Sequence, residues 1–200
     1  MGNLIVRHDL RGFFREEVLA AKTSLRVPIP ETTEFYLVQL LCDFSSRKDD
    51  RTPTEEPLAF LYKRATESIA AEQVQCYKNL GDVALYVAGY FTDFIEGSMV
   101  DVDYYISMGG TAYNSLASLV GSQRHGGQFA ELYGQLARQF TELVDVLNVV
   151  ASRASSKGGK DGDLLKLYDR YARTGSAHLR RQLLARGMLP QTGLPTDYNQ

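Results

Sequence analysis

The chain has no tryptophan, two cysteines and three histidines in 200 residues, and each scarcity removes a class of function. Cys42 and Cys76 stand far apart. They form neither a CxxC pair nor a disulfide framework, and each sits in an apolar helical pattern as a reduced, buried thiol. Such usage fits a reducing compartment. His8, His125 and His178 are scattered, with no HExxH or ExxH run, so zincins and ferritin-like di-iron helices are set aside. No GxSxG nucleophile elbow occurs. Long apolar runs are missing too. The longest, Val83 to Phe91, covers about half a bilayer. The opening MGNLIVRHDLRG has no secretory apolar stretch and no Ser or Thr at position 6 for a myristoylation signal. These absences predict a cytoplasmic protein with no membrane partner.

What is present is an ordinary globular composition, 44% hydrophobic and 23% charged, on a chain long enough to bury a core without staples. The net charge of −2 is unevenly spread. Residues 151–187 carry nine Lys or Arg against three Asp, a balance of +6. Residues 1–150 carry 13 Lys or Arg against 20 Asp or Glu, a balance of −7. Such asymmetry marks either a solvated helix surface or a basic face for an acidic partner.

Helical periodicity runs through nearly every segment, and no segment alternates with period two. The pattern predicts helices over Leu10–Lys22, Glu31–Phe44, Pro57–Leu80, Asp82 to about Ile95, Val102–Val120 and Gln128 to about Arg153. Two short basic helices follow, Leu164–Arg173 and Ser176–Arg186. Val27-Pro28-Ile29-Pro30 reads as an extended connector. Gly81 reads as a helix stop, with Asp82 and Asp101 as caps of the helices that follow them. The expected architecture is all-α: an irregular orthogonal bundle of seven to eight helices. It forms a single domain over residues 1–187, with an extended C-terminal tail at 188–200.

The segment from Leu80 to Leu116 is the most specific part of the chain. Tyr86, Tyr90, Tyr104, Tyr105 and Tyr113 are concentrated there, along with Gly109 and Gly110. Two glycines inside a helix cost about 1 kcal/mol each relative to alanine. Close approach of another helix would offset that cost, and so would a ligand pressed against the backbone. The ligand reading places a small apolar pocket among Tyr86, Tyr90, Tyr105, Gly109, Gly110 and Tyr113. The packing reading makes the same residues a core whose hydroxyls reach the surface.

Three further groups invite chemistry. Asp93, Glu96, Asp101 and Asp103 gather at one interhelix turn, but helix caps explain Asp101 and Asp103, and no second acidic motif faces them. No metal and no cofactor is expected. Arg124 and His125 lie in the turn GSQRHGG, where an anion could meet the free N–H groups that open the next helix. The spacing of that turn departs from a phosphate loop, since Gly127 stands in the lysine position and no strand precedes it. Arg170, Arg173, Arg180, Arg181 and Arg186 give the end of the chain a basic, partner-binding character. A DNA-binding helix-turn-helix fails there, because Arg170 and Arg181 fall where apolar residues are needed. Nucleic acid is therefore disfavoured.

The combination EFYLVQLLCDF, LGDVALYVAGYF, DVDYYISMGGTAY and LRRQLLARGMLP resembles a family of uncharacterised helical proteins from bacterial genomes, over about residues 34–190. The resemblance implies a helical cytoplasmic domain and carries no activity, cofactor or site residue with it. Without a convergent acid, base, nucleophile or ligand set, the favoured function is a non-catalytic interaction or regulatory protein, with a protein partner or self-association. The alternative is a small-molecule-binding protein or enzyme that uses the tyrosine-lined pocket. Nucleic-acid binding through the basic end is a minor third.

Overall fold

The computed structural model describes residues 2–45, 56–91, 100–124, 126–157 and 184. The chain divides into two compact units, residues 1–153 and 154–200. Apart from the end of its last helix, everything described below belongs to the first. Its described residues form seven helices: α1 Gly2–Leu25, α2 Glu31–Ser45, α3 Leu58–Glu67, α4 Ala70–Gly89, α5 Val102–Gly121, α6 Gly127–Arg138 and α7 Phe140–Lys157. No strand occurs among the described residues, and the fold is an all-α bundle.

The helix ends follow local chemistry. Arg26 takes a positive φ of 57°, and the Val27 N–H turns back to the Lys22 carbonyl at 3.1 Å, closing α1. The two prolines of Val27-Pro28-Ile29-Pro30 then hold the connector extended until α2 begins. Asp101 caps α5, its carboxylate accepting the Val102 N–H at 2.6 Å. On α3, Leu58, Leu61 and Ala65 recur on one face and are buried.

Four boundaries depart from the sequence-based expectation. The first helix begins at Gly2 rather than Leu10. The helix expected over Pro57–Leu80 breaks at Ser68-Ile69, where both residues are extended. No glycine or proline marks that break. Gly81 does not stop a helix, and Asp82 caps nothing: both lie inside α4, which ends at Gly89 rather than near Ile95. The helix expected over Gln128–Arg153 is two helices, α6 and α7, joined at Gln139 (φ −103°, ψ 21°).

α4 is the central helix. Every residue from Leu80 to Gly89 is buried, which is why this stretch of sequence lacks a polar stripe. α5 packs along α4, α6 packs on α5, α3 lies on α4, and α1 pairs with α2. Gly81 and Gly109 are where these helices approach most closely. A Cβ on Gly81 would sit 2.6 Å from the Tyr113 ring, and one on Gly109 would meet the Phe140 ring and lie 2.8 Å from the Ala84 Cβ.

Candidate functional site

Two places in the bundle concentrate chemistry. The first is interior. Asp82 is 9% exposed on α4 and is held by three donors from three directions. Tyr36 of α2 donates its hydroxyl to Oδ1 at 2.5 Å, and Tyr113 of α5 donates to the same oxygen at 2.8 Å. Lys78, one turn earlier on α4, donates to Oδ2 at 2.6 Å. Tyr133 of α6 completes the surround. Its ring stacks on Tyr113 at 6.2 Å and meets Tyr36 edge-on at 6.0 Å. The Lys78 ammonium also lies 5.4 Å from the centre of the Tyr36 ring.

The electrostatics keep these tyrosines protonated. Burial, followed by the charge of Asp82, pushes the Tyr36 phenol far above its ordinary range. The same two causes in the same order raise Tyr113. Burial raises Tyr133 as well, while Lys78 pulls it down and Asp82 pushes it up. Both donors to Asp82 are thus locked in the form that can donate. The carboxylate holds three donors and has little surface left for a substrate. Its chemistry is that of a fastener joining α2, α4 and α5.

The residues expected to line one tyrosine pocket are divided between two aromatic groups. Tyr113 belongs to the Asp82 cluster. Tyr86 stacks on Phe44 at 4.3 Å and on Tyr90 at 5.5 Å, and Tyr90 meets Phe14 of α1 edge-on at 6.0 Å. Tyr105 is buried beside Tyr104. Gly109 is covered by Phe140 and Ala84, whereas Gly110 has only the Ala137 carbonyl near it, at 3.9 Å from where a Cβ would stand. Arg124 is exposed in the α5–α6 turn. His125, Asp93, Glu96 and all five basic residues Arg170, Arg173, Arg180, Arg181 and Arg186 lie outside the described residues.

The second place is exterior. An open groove of about 450 Å³ lies at the α3–α4 corner. Phe60 and Ile69 line it and stay 58% and 68% exposed. Arg64 is bound to Glu56 there at 2.8 Å, while Lys63 and Glu67 are 3.9 Å apart. Phe60 points out because the buried stripe of α3 runs through its neighbours Leu58 and Leu61. Ile69 is the N-cap of α4 and makes no side-chain cap hydrogen bond.

Sequence reasoning missed Tyr36, Lys78 and Tyr133 as partners of Asp82, and Phe60 and Ile69 as surface residues. For Phe60 a signal existed: it is off the Leu58–Leu61–Ala65 register. For Lys78 a local signal existed, its i,i+4 spacing to Asp82, whereas nothing local announces Tyr36, which is 46 residues away. No protein-family model, no curated protein and no solved structure matches this chain. Among the described residues, no three His, Cys, Asp or Glu are grouped to hold a metal ion, and no helix is long and apolar enough to cross a membrane.

Proposed function

We propose that this chain is a non-catalytic interaction protein that holds a protein partner, or a second copy of itself, in the groove at the α3–α4 corner. The observation that carries the reading is the pair Phe60 and Ile69, two large apolar side chains left open on one concave surface. Single exposed apolar residues are ordinary, but a concave pair rimmed by charge has the anatomy of a binding face. The interior supports the same reading. Asp82 already holds three donors from within the bundle and exposes little of itself. The alternative of a small-molecule pocket beside Gly109 and Gly110 has less behind it, because Phe140 and Ala84 take up the space at Gly109. Cys42 and Cys76 are half-buried, rather than buried as expected, and form no disulfide, which supports placing the interaction in the reducing cytoplasm.

Native mass spectrometry of protein isolated from its own host tests the proposal. The expected result is a protein complex or homo-oligomer that dissociates in the Phe60→Ser variant. A stoichiometric small molecule on an otherwise monomeric chain would overturn the proposal and favour the alternative.

A further inference from the structure

Resting on the reading just given, we infer that the groove takes a basic amphipathic segment, one that sets an aliphatic or aromatic side chain beside a lysine or arginine. The argument starts from Ile69. The N-cap position favours Ser, Thr, Asp or Asn, whose oxygen would accept a free N–H of the first turn. Ile69 supplies no such bond and buries little of itself. The chain thus forgoes two ordinary sources of stability at one residue. Departures of that kind, with no compensation inside the fold, concentrate at functional positions.

The charges around Ile69 select what covers it. Arg64 is committed to Glu56 at 2.8 Å. Lys63 and Glu67 are separated by 3.9 Å with both side chains two-thirds exposed, a pairing worth almost nothing in water. Glu72 lines the same groove and has no ion-pair partner among the described residues. Two carboxylates, Glu67 and Glu72, therefore line the groove together with Ile69, and Lys63 beside Glu67 is a loosely held cation. A purely apolar partner would strip water from both and leave them unmatched, a cost that rises as the rim dries. An acidic partner would set its charge against Glu67 and Glu72, with the loosely held Lys63 and the α4 N-terminus to offset it. A cation placed beside the apolar anchor satisfies Glu67 and Glu72 while the anchor covers Phe60 and Ile69.

Fluorescence anisotropy with three labelled synthetic helical peptides tests the inference. They share a leucine-lined face and differ in flanks: one carries lysines, one carries glutamates, and a third keeps the lysines but has glutamine in place of leucine. The lysine–leucine peptide is expected to bind at least tenfold more tightly than either of the others. Its Kd should rise at least tenfold in Ile69→Thr, a variant that gains a capping hydroxyl and so keeps its melting temperature, and several-fold in Glu72→Gln. Equal binding of the glutamate–leucine peptide, with Ile69→Thr still abolishing it, would overturn the charge preference and leave the apolar groove standing. Binding unaffected by Ile69→Thr and Phe60→Ser, or no binding by any peptide, would overturn the groove reading as well.

Discussion

Replacing Asp82 with alanine tests whether the buried carboxylate fastens the bundle. The substitution leaves three donors behind, and they differ in consequence. Tyr113 is fully buried, so its hydroxyl loses its acceptor with no water to replace it, at about 1–3 kcal/mol. Tyr36 is only partly buried and loses about 0.5–1.5 kcal/mol, the net worth of an ordinary hydrogen bond. The Lys78 side chain is 36% exposed and re-solvates, so its pair with Asp82 contributes about 0–1 kcal/mol. The expected total is about 1.5–5.5 kcal/mol, read in urea as a lower midpoint with an unchanged slope. The sharper reading is a double-mutant cycle with Tyr113→Phe. Once the Tyr113 hydroxyl is gone, Asp82→Ala strands one donor fewer and should cost about 1 kcal/mol less than in the parent. Additivity of the two substitutions to within about 0.3–0.5 kcal/mol would refute the claim that Asp82 and Tyr113 act as a bonded pair.

Alkaline pH should destabilise the protein in a defined direction. The folded phenols of Tyr36 and Tyr113 titrate above the unfolded value, so above about pH 10 the unfolded chain releases protons first and stability falls as pH rises, by about 1.4 kcal/mol per pH unit for each tyrosine. Phenolate absorbance that rose smoothly for every tyrosine while the far-ultraviolet helix signal persisted would contradict the burial of that pair. Gly109→Ala should lower the melting temperature, because its Cβ collides with Phe140 and Ala84, an overpacking cost of about 1–3 kcal/mol. Gly12→Ala in α1 should raise it, since nothing lies within 4 Å of the new methyl and mid-helix alanine gains about 0.5–1 kcal/mol; the same sign of shift for both would refute the packing assignment. Ile69→Asp should stabilise α4 by about 1 kcal/mol in thermal melts by supplying the missing cap, and a loss of stability would show that Ile69 supports the fold.

The sequence made the helices legible because their signals are local. Val27-Pro28-Ile29-Pro30 and the Asp101 cap sit where the pattern places them, since proline geometry and capping need only neighbours. Gly81 was misread because a glycine after an apolar helix carries the same local signature whether it ends the helix or admits a neighbouring ring. The Tyr113 ring decides the matter, and it lies 32 positions away in sequence. Ser68-Ile69 escaped because helix-compatible residues flank the break and neither glycine nor proline marks it. For the candidate site, Tyr113 and Gly109 were visible as unusual residues. Their partners Tyr36 and Phe140 were not, because period and propensity say nothing about which helix meets which.

The three bonds to Asp82 also differ in when they can form. Lys78 is one turn away on the same helix, so that pair needs only α4. Tyr36 and Tyr113 are 46 and 31 residues distant, and their hydroxyls arrive only when α2 and α5 dock. Loop-closure entropy therefore favours an order of assembly, with the local pair first and the long-range lock afterwards. A lock that closes after the rate-limiting step holds the native state against opening without speeding its formation. In stopped-flow chevrons, Tyr113→Phe should steepen the escape from the native state, raising the unfolding rate while leaving the refolding limb nearly where it was.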